Sequence, residues 1–586
     1  MKKITTKKIL LTVFSSFIGL ASLSAQVMLK EIPLEQQIAA SSLVVEGKVI
    51  SKESFWNAEH TEIYTVNTVE VYKVFKGEQS RTVEVVTPGG IVGDTAVKIM
   101  PNLNLNLNDV GVFTLYNDES SKSNTFKTYS GVQGFYKYNL IEDVATNPFN
   151  KKEGIQAVLY KEITNETKAG VSEVLEFSVA KSLNKTAQSK GLLAAENISF
   201  SEKPVTAGTG EVLTITGTDF GTEKGKVGFA NTIDGGESVV YALDSQVLTW
   251  KDTEITVEVP SLAGTGAVTI VDAKEGLAQS DGILTVSYAV LNYDDEVNAF
   301  MVQHYGANGG AFVWNRSTSL INNAPALASF TRAFENWRCE TGINWVFGDN
   351  TSVSKAGIDG LNVIGFSEGL GDQGYLGLTT LVYKRSCNGD GNWVVAEIDM
   401  IFADLDNDDG FEEWYFGENQ NGIFFEIDFE SVALHELGHA QLLDHVNDNN
   451  DAMDFNFGSG QVIRTLNDGN KEAGHLIQEL SSTNVVCEYP LMATYKCTLG
   501  IDEDVLESSI ELYPNPAKNE FFIKNASSVN VEKVMVYDVN GRLVSKVDVS
   551  NNSGLKTISL SGVSSGLYFV NIHSDITSIT KKLVVK

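Results

Sequence analysis

The stretch that most constrains this chain is HELGHAQLLDH, running from His435 to His445. Residues i and i+4 share one face of an α-helix, so His435 and His439 predict a helix that presents both imidazoles to a single point. Glu436 stands beside the first of them, and His445 follows shortly after the second. In a chain with only 7 histidines, HExxH would arise by shuffling about once in two hundred sequences, so the spacing carries information. A catalytic zinc takes three protein ligands and keeps a fourth position for water. His435, His439 and His445 are therefore the expected Zn2+ ligands, and Glu436 the expected general base. For His445 to return to the ion, the helix has to stop after Gly438 and the chain has to bend. Val432, Ala433 and Leu434 form an apolar run that would hold the helix in a core.

Met453 lies a little further on, within NDAMDF. Together these residues resemble the metzincin metalloproteases, whose signature is HExxHxxGxxH followed by a methionine-bearing turn, and among them the matrixin branch. The resemblance covers roughly Val290 to Gly500. Within it, ASFTRAFENWRCETGINWVFG (Ala328–Gly348) reads as an amphipathic helix running into a strand, as in that fold. VVAEIDMIF (Val394–Phe402) resembles the edge strand over the zinc that receives an extended substrate. The resemblance thus implies Val394, Val395, Ala396, Glu397 and Ile398 as substrate-binding residues, Met453 as an apolar floor under the metal, and peptide hydrolysis by a zinc-activated water. The sequence departs from the family at Leu442, where metzincins carry glycine, and at Phe455, where some carry a metal-facing tyrosine. If Leu442 needs φ > 0 it costs about 1–2 kcal/mol, which is small beside the affinity of a three-histidine site, so the metal is expected to bind. The other histidines, His60, His304, His475 and His573, have no ligand-like spacing.

The start of the chain, MKKITTKKILLTVFSSFIGLASLSAQ, combines a basic segment, an apolar run from Ile9 to Leu20 and small residues near Ala25, and reads as a signal peptide over 1–25. No later stretch is long and apolar enough to span a bilayer. At the other end, LYPNPAKNEFFIKN, VMVYDVNGRLV and SGLYFVNI alternate apolar and polar residues around turn-forming Asn-Gly and Pro-Asn-Pro, predicting a small antiparallel sandwich over 511–586 after a linker at 501–510. These phrases resemble the C-terminal sorting domain of the bacterial type IX secretion system, which implies that machinery as a partner and a secreted or cell-surface location.

Two β-rich regions precede the expected protease domain (289–500). The second, 193–288, contains GTGEVLTITGTDFGTEKGKVGF and resembles the immunoglobulin-like IPT/TIG module. The first, 26–192, has strand-like runs that could close as a small barrel, and it contains no cysteine. A thiolate from it therefore cannot block a zinc, and both an inhibitory role by occlusion and a substrate-binding role are open.

The 4 cysteines, Cys339, Cys387, Cys487 and Cys497, all fall in 289–500 and fit an oxidising setting. The proximity of Cys487 and Cys497 favours that pair, leaving Cys339 with Cys387. The net charge of −31 argues against nucleic acid and anionic lipid as partners. In DLDNDDG (Asp404–Gly410) carboxylates alternate as in calcium loops, but the glycine is one place late and no closing glutamate follows, which favours a solvated acidic turn; the metzincin resemblance implies Ca2+ elsewhere in the domain as a second cation. The expected fold is multidomain: an α+β metzincin-like domain flanked by all-β domains. The expected function is that of a secreted zinc endopeptidase acting on protein or peptide. The alternative is a surface adhesin that binds a polymer and carries an inactive protease fold.

Overall fold

Short alternating runs bounded by glycine turns make β-strands the predominant regular structure of the described chain. The computed structural model describes residues 29–117, 125–140, 142–183, 195–201, 203–295, 297–387, 392–405, 413–420, 426–455, 458, 460–497, 510–525, 531–539, 541–549, 556–574 and 578–586. The expected signal peptide, most of the acidic Asp404–Gly410 turn and the linker up to 509 lie outside them. The chain divides into two units, Met1–Tyr495 and Lys496–Lys586.

The first unit begins with a strand, Leu43–Trp56, that pairs antiparallel with Ile63–Lys76 on one side and Val110–Asn117 on the other. Pairings through Thr82–Pro88 and Thr125–Thr128 complete a ring of five strands. Val45, Val69, Val85, Phe113 and Leu115 fill it. Two four-stranded antiparallel sheets follow, one containing Val212–Thr218 and the other Ala263–Val271. They enclose Ile215, Phe220, Phe229 and Ile270.

A further sheet is mixed and has nine strands, with the order Trp345–Thr351, Phe312–Ser317, Val363–Ser367, Trp393–Ala403, Gly377–Arg385, Thr95–Met100, Gly90–Val92 along its main path. The first four run parallel, and Gly377–Arg385 turns antiparallel to Trp393–Ala403. The helix Ala324–Thr341 starts where the Asn323 side chain accepts the Ala326 N–H at 3.1 Å and stops at Gly342, φ 77°. It buries Phe330, Phe334 and Trp337, each contributing about 1.5–3 kcal/mol. As the spacing predicts, it runs into the strand Trp345–Thr351.

Three expectations are corrected here. The run Val394–Phe402 is no edge: it lies within Trp393–Ala403, flanked by Gly377–Arg385 on one side and by Ala299–Gln303 and Val363–Ser367 on the other. Glu397 and Asp399 interrupt its apolar run, but both are buried together with their apolar neighbours, so the strand is covered on both faces. The strand next to it, Gly377–Arg385, is flanked on its other side by Thr95–Met100. The region 26–192 is not a self-contained domain either, because Thr95–Met100 and Gly90–Val92 leave it to join this sheet. Finally, Cys387 is bonded to Cys487, 100 positions away, which excludes both expected pairings. Proximity in sequence is a weak guide to which thiols the fold brings together.

The second unit is built of a three-stranded and a four-stranded antiparallel sheet. Phe521, Ile523, Val534, Val536, Val570, Ile572 and Leu583 form its core. This is the sandwich that the alternation predicts.

Candidate metal centre

The helix that carries His435 and His439 is Phe429–Ala440, and every one of its residues is buried. Leu434, Leu437 and Ala440 supply apolar surface on several sides, as a helix enclosed by the core requires. Asp428 caps its start, accepting the Ser431 N–H at 3.0 Å and the Arg464 Nε–H at 2.9 Å. The Trp337 indole donates to the Leu434 carbonyl at 2.8 Å, tying the helix to Ala324–Thr341.

The helix ends in a Schellman turn. The Leu442 N–H returns to the His439 carbonyl and the Leu443 N–H to the Gly438 carbonyl, both at 2.9 Å. Leu442 takes the left-handed position, φ 68°, which is where glycine is normally found. Its side chain is fully buried, so packing offsets a backbone cost of about 1–2 kcal/mol. The reversal carries His445 back beside the helix.

The three imidazoles meet at their Nε2 atoms, with separations of 3.1 Å (His435 to His439), 3.1 Å (His439 to His445) and 3.3 Å (His435 to His445). His435 Nδ1 lies 2.8 Å from the Ala452 carbonyl and His439 Nδ1 2.9 Å from the Leu443 carbonyl. A carbonyl only accepts, so both Nδ1 atoms carry protons and both Nε2 atoms present lone pairs. Facing lone pairs repel unless a cation lies among them. Two zinc–nitrogen bonds at the tetrahedral angle hold their nitrogens about 3.3 Å apart, so the donor set fits Zn2+ in both chemistry and size. Burial pushes His435 down to about 4, and His439 and His445 well below their ordinary value. All three are thus neutral and competent as ligands.

Glu436 is fully buried. The Thr379 hydroxyl donates to its Oε2 at 2.6 Å, while Oε1 has no hydrogen-bond partner. Burial pushes this carboxyl up to about 8, and the Thr379 hydrogen bond pulls the other way. Thr379 belongs to Gly377–Arg385, and at Gly377 an added Cβ would lie 2.9 Å from Glu436 Oε1. The strand can pass this close only because residue 377 has no side chain.

Met453 sits under the helix. An added Cβ at Gly438 would come within 2.1 Å of its sulfur, which explains the glycine inside HELGH. The turn holding Met453 is fastened by Asp451, whose carboxylate accepts from the Met453 N–H at 2.7 Å, from Asn470 Nδ2 at 2.7 Å and from Asn467 Nδ2 at 2.6 Å. Phe455 joins the apolar cluster of Leu29, Val132 and Tyr375.

The structure therefore brings together His435, Glu436, His439, His445 and Met453 from the sequence reading. Val394, Val395, Ala396, Glu397 and Ile398 lie in the sheet interior instead. There the Glu397 carboxylate accepts the Asp359 and Gly360 N–H groups at 3.0 and 2.9 Å. Sequence reasoning missed Thr379, Gly377, Asp451 and Lys98. The last reaches the site from the N-terminal region, with its Nζ 3.8 Å from the Asp444 carboxylate next to His445. No local signal marks them, because each acts across the fold.

Residues 511–586 match the family described as the secretion system C-terminal sorting domain. This places the protein at the cell surface or outside the cell. Among the described residues no helix is long and apolar enough to cross a membrane. The chain is 35% identical over 77 residues to beta-agarase A of Zobellia galactanivorans. That match spans 13% of this chain and 14% of the agarase, so it concerns a small part of either protein. A solved biofilm-associated protein BSP domain aligns over 93% of this chain and 81% of its own, at 9% identity and a TM-score of 0.15. A likeness that low does not extend to the fold. The sorting-domain match lies wholly in the second unit and leaves the His435–His445 site to be read from its own chemistry.

Proposed function

We propose that this chain is a secreted, zinc-dependent endopeptidase of the metzincin type. The observation that carries this reading is the convergence of three neutral imidazole nitrogens at 3.1–3.3 Å next to a buried glutamate with one oxygen unpartnered. His435, His439 and His445 would hold the ion. Zinc, when bound, supplies a Lewis acid that polarises the scissile carbonyl and makes water acidic.

Glu436 supplies the proton chemistry. Its ionised form would be favoured against the burial by a cation held by the three histidines; Oε1 then accepts the proton of the attacking water and hands it to the leaving amine, while the Thr379 hydroxyl holds Oε2 and keeps the carboxylate in one orientation. Gly377–Arg385 runs past this carboxylate, so an extended peptide would pair with that strand and not with Trp393–Ala403. The adhesin alternative has no use for a base aligned in this way.

The test is zinc content and casein cleavage by the chain in which Thr95–Met100 is released from Gly377–Arg385 by Lys98→Pro and Ile99→Pro, with and without Glu436→Ala. About one zinc per chain is expected in both, with cleavage lower by about 10²–10⁴-fold where Glu436 is replaced. Equal cleavage would remove Glu436 from the reaction.

A further inference from the structure

We infer that the strand Thr95–Met100 is an internal inhibitor, lying on the backbone edge that an extended substrate needs and keeping the folded chain latent. The inference rests on the peptidase reading. Its first support is that Gly377–Arg385 is the strand beside Glu436, touching it through Thr379 and Gly377. The outer edge of that strand is not free. Thr95–Met100 pairs with it antiparallel over six residues, from Lys384 opposite Thr95 to Thr379 opposite Met100.

The register puts side chains of the N-terminal region over the metal site. Residues directly opposite in an antiparallel pair point to the same face. Since Thr379 reaches Glu436, its partner Met100 and the next residue on that face, Lys98, lie on the metal side. The Lys98 ammonium approaches Asp444 at 3.8 Å, and the Asp444 carboxylate in turn accepts the His445 N–H at 2.9 Å. A cavity of about 320 Å³ remains beside His445, bordered by Lys98, Met100, Tyr383 and Phe455. With the strand in place His435, Glu436, His439 and His445 are 1%, 0%, 0% and 4% exposed, so a polypeptide cannot reach them.

Further ties fasten this cover. Lys30 N donates to the Gly374 carbonyl at 2.5 Å, Arg385 N to the Asp94 carbonyl at 3.1 Å, and Lys384 Nζ to Thr95 Oγ1 at 2.5 Å. The device is steric and needs no thiolate, in keeping with a region 26–192 that lacks cysteine.

The experiment uses the full, zinc-loaded chain and two readouts: binding of a fluorescent peptide hydroxamate, which needs the metal but not Glu436, and casein cleavage. One variant is Lys98→Pro with Ile99→Pro. Successive N–H groups of a strand point to opposite sides, so one of the two prolines must delete a donor facing Gly377–Arg385. Hydroxamate binding at least about ten-fold tighter than in the parent is expected, because affinity scales with the fraction of chains that are open. Tighter binding without casein cleavage would keep the inference and sink the peptidase reading. Equal hydroxamate affinity in the parent and in a zinc-loaded variant would overturn the inference.

Amide exchange in the parent does not depend on how the variant folds. If hydroxamate binds the zinc-loaded parent, the amides of Thr95–Met100 must lose protection as it does so, and a parent that binds no hydroxamate is latent as inferred. Hydroxamate binding with those amides still protected would overturn it.

Discussion

At the scale of single residues, positions that look wrong locally are explained by what they touch. Leu442 occupies a left-handed position, and replacing it by glycine would relieve about 1–2 kcal/mol of backbone cost. The same change deletes a fully buried leucine, a loss of about 2–5 kcal/mol. Leu442→Gly is therefore expected to lower the urea midpoint of unfolding, and a higher midpoint would contradict the account. His304 is buried against the Phe312 ring, and burial pushes it down to about 3. The unfolded chain takes up this proton near pH 6.5 and the folded chain only near 3, so stability is complete above pH 6.5 and is lost as the pH falls through that interval. His304→Leu should shrink the drop in midpoint between about pH 7 and about pH 4.5. An unchanged drop would show that other groups govern the acid limb. The proposed ligands were legible in the sequence because an i, i+4 pair is a local pattern. Thr379 was not, since only the fold brings it to Glu436.

At the scale of elements, the three-histidine site depends on one helix, one reversal and one fastened turn. Asp451 joins the turn holding Met453 to the first residues of the helix Asp468–Thr483, and the same turn offers the Ala452 carbonyl to His435. Asp451→Ala should weaken zinc affinity by about 10–100-fold, the usual effect of removing a group that orients a ligand, as read by competition with a chelator. Unchanged affinity would mean that the turn holds without it. The helix before Trp345 and the sandwich at the C-terminus were readable from periodicity. Strand order was not, for alternation identifies a strand without naming its neighbour. The run from Val394 resembles an edge strand, and with Glu397 and Asp399 inside it nothing in its composition marks it as interior.

At the scale of the whole molecule, the proposed function joins three features: a sorting domain for export, a β-rich N-terminal region and a three-histidine site that this region covers. Deleting residues 511–586 should leave the protein inside the cell, as read by fractionation, whereas normal export of the truncated chain would contradict the role of that domain. The six-residue insertion of Thr95–Met100 left no trace in the sequence reading, because its partner lies nearly 300 positions away and nothing local encodes that distance. The central claim is that three histidines hold zinc for a reaction in which Glu436 is the base. Its most direct test is to measure bound zinc and casein cleavage together, in the Lys98→Pro/Ile99→Pro chain with and without Glu436→Ala. The account predicts about one zinc per chain in both and cleavage only where Glu436 is present. Absence of zinc, or equal cleavage by the two, would contradict it.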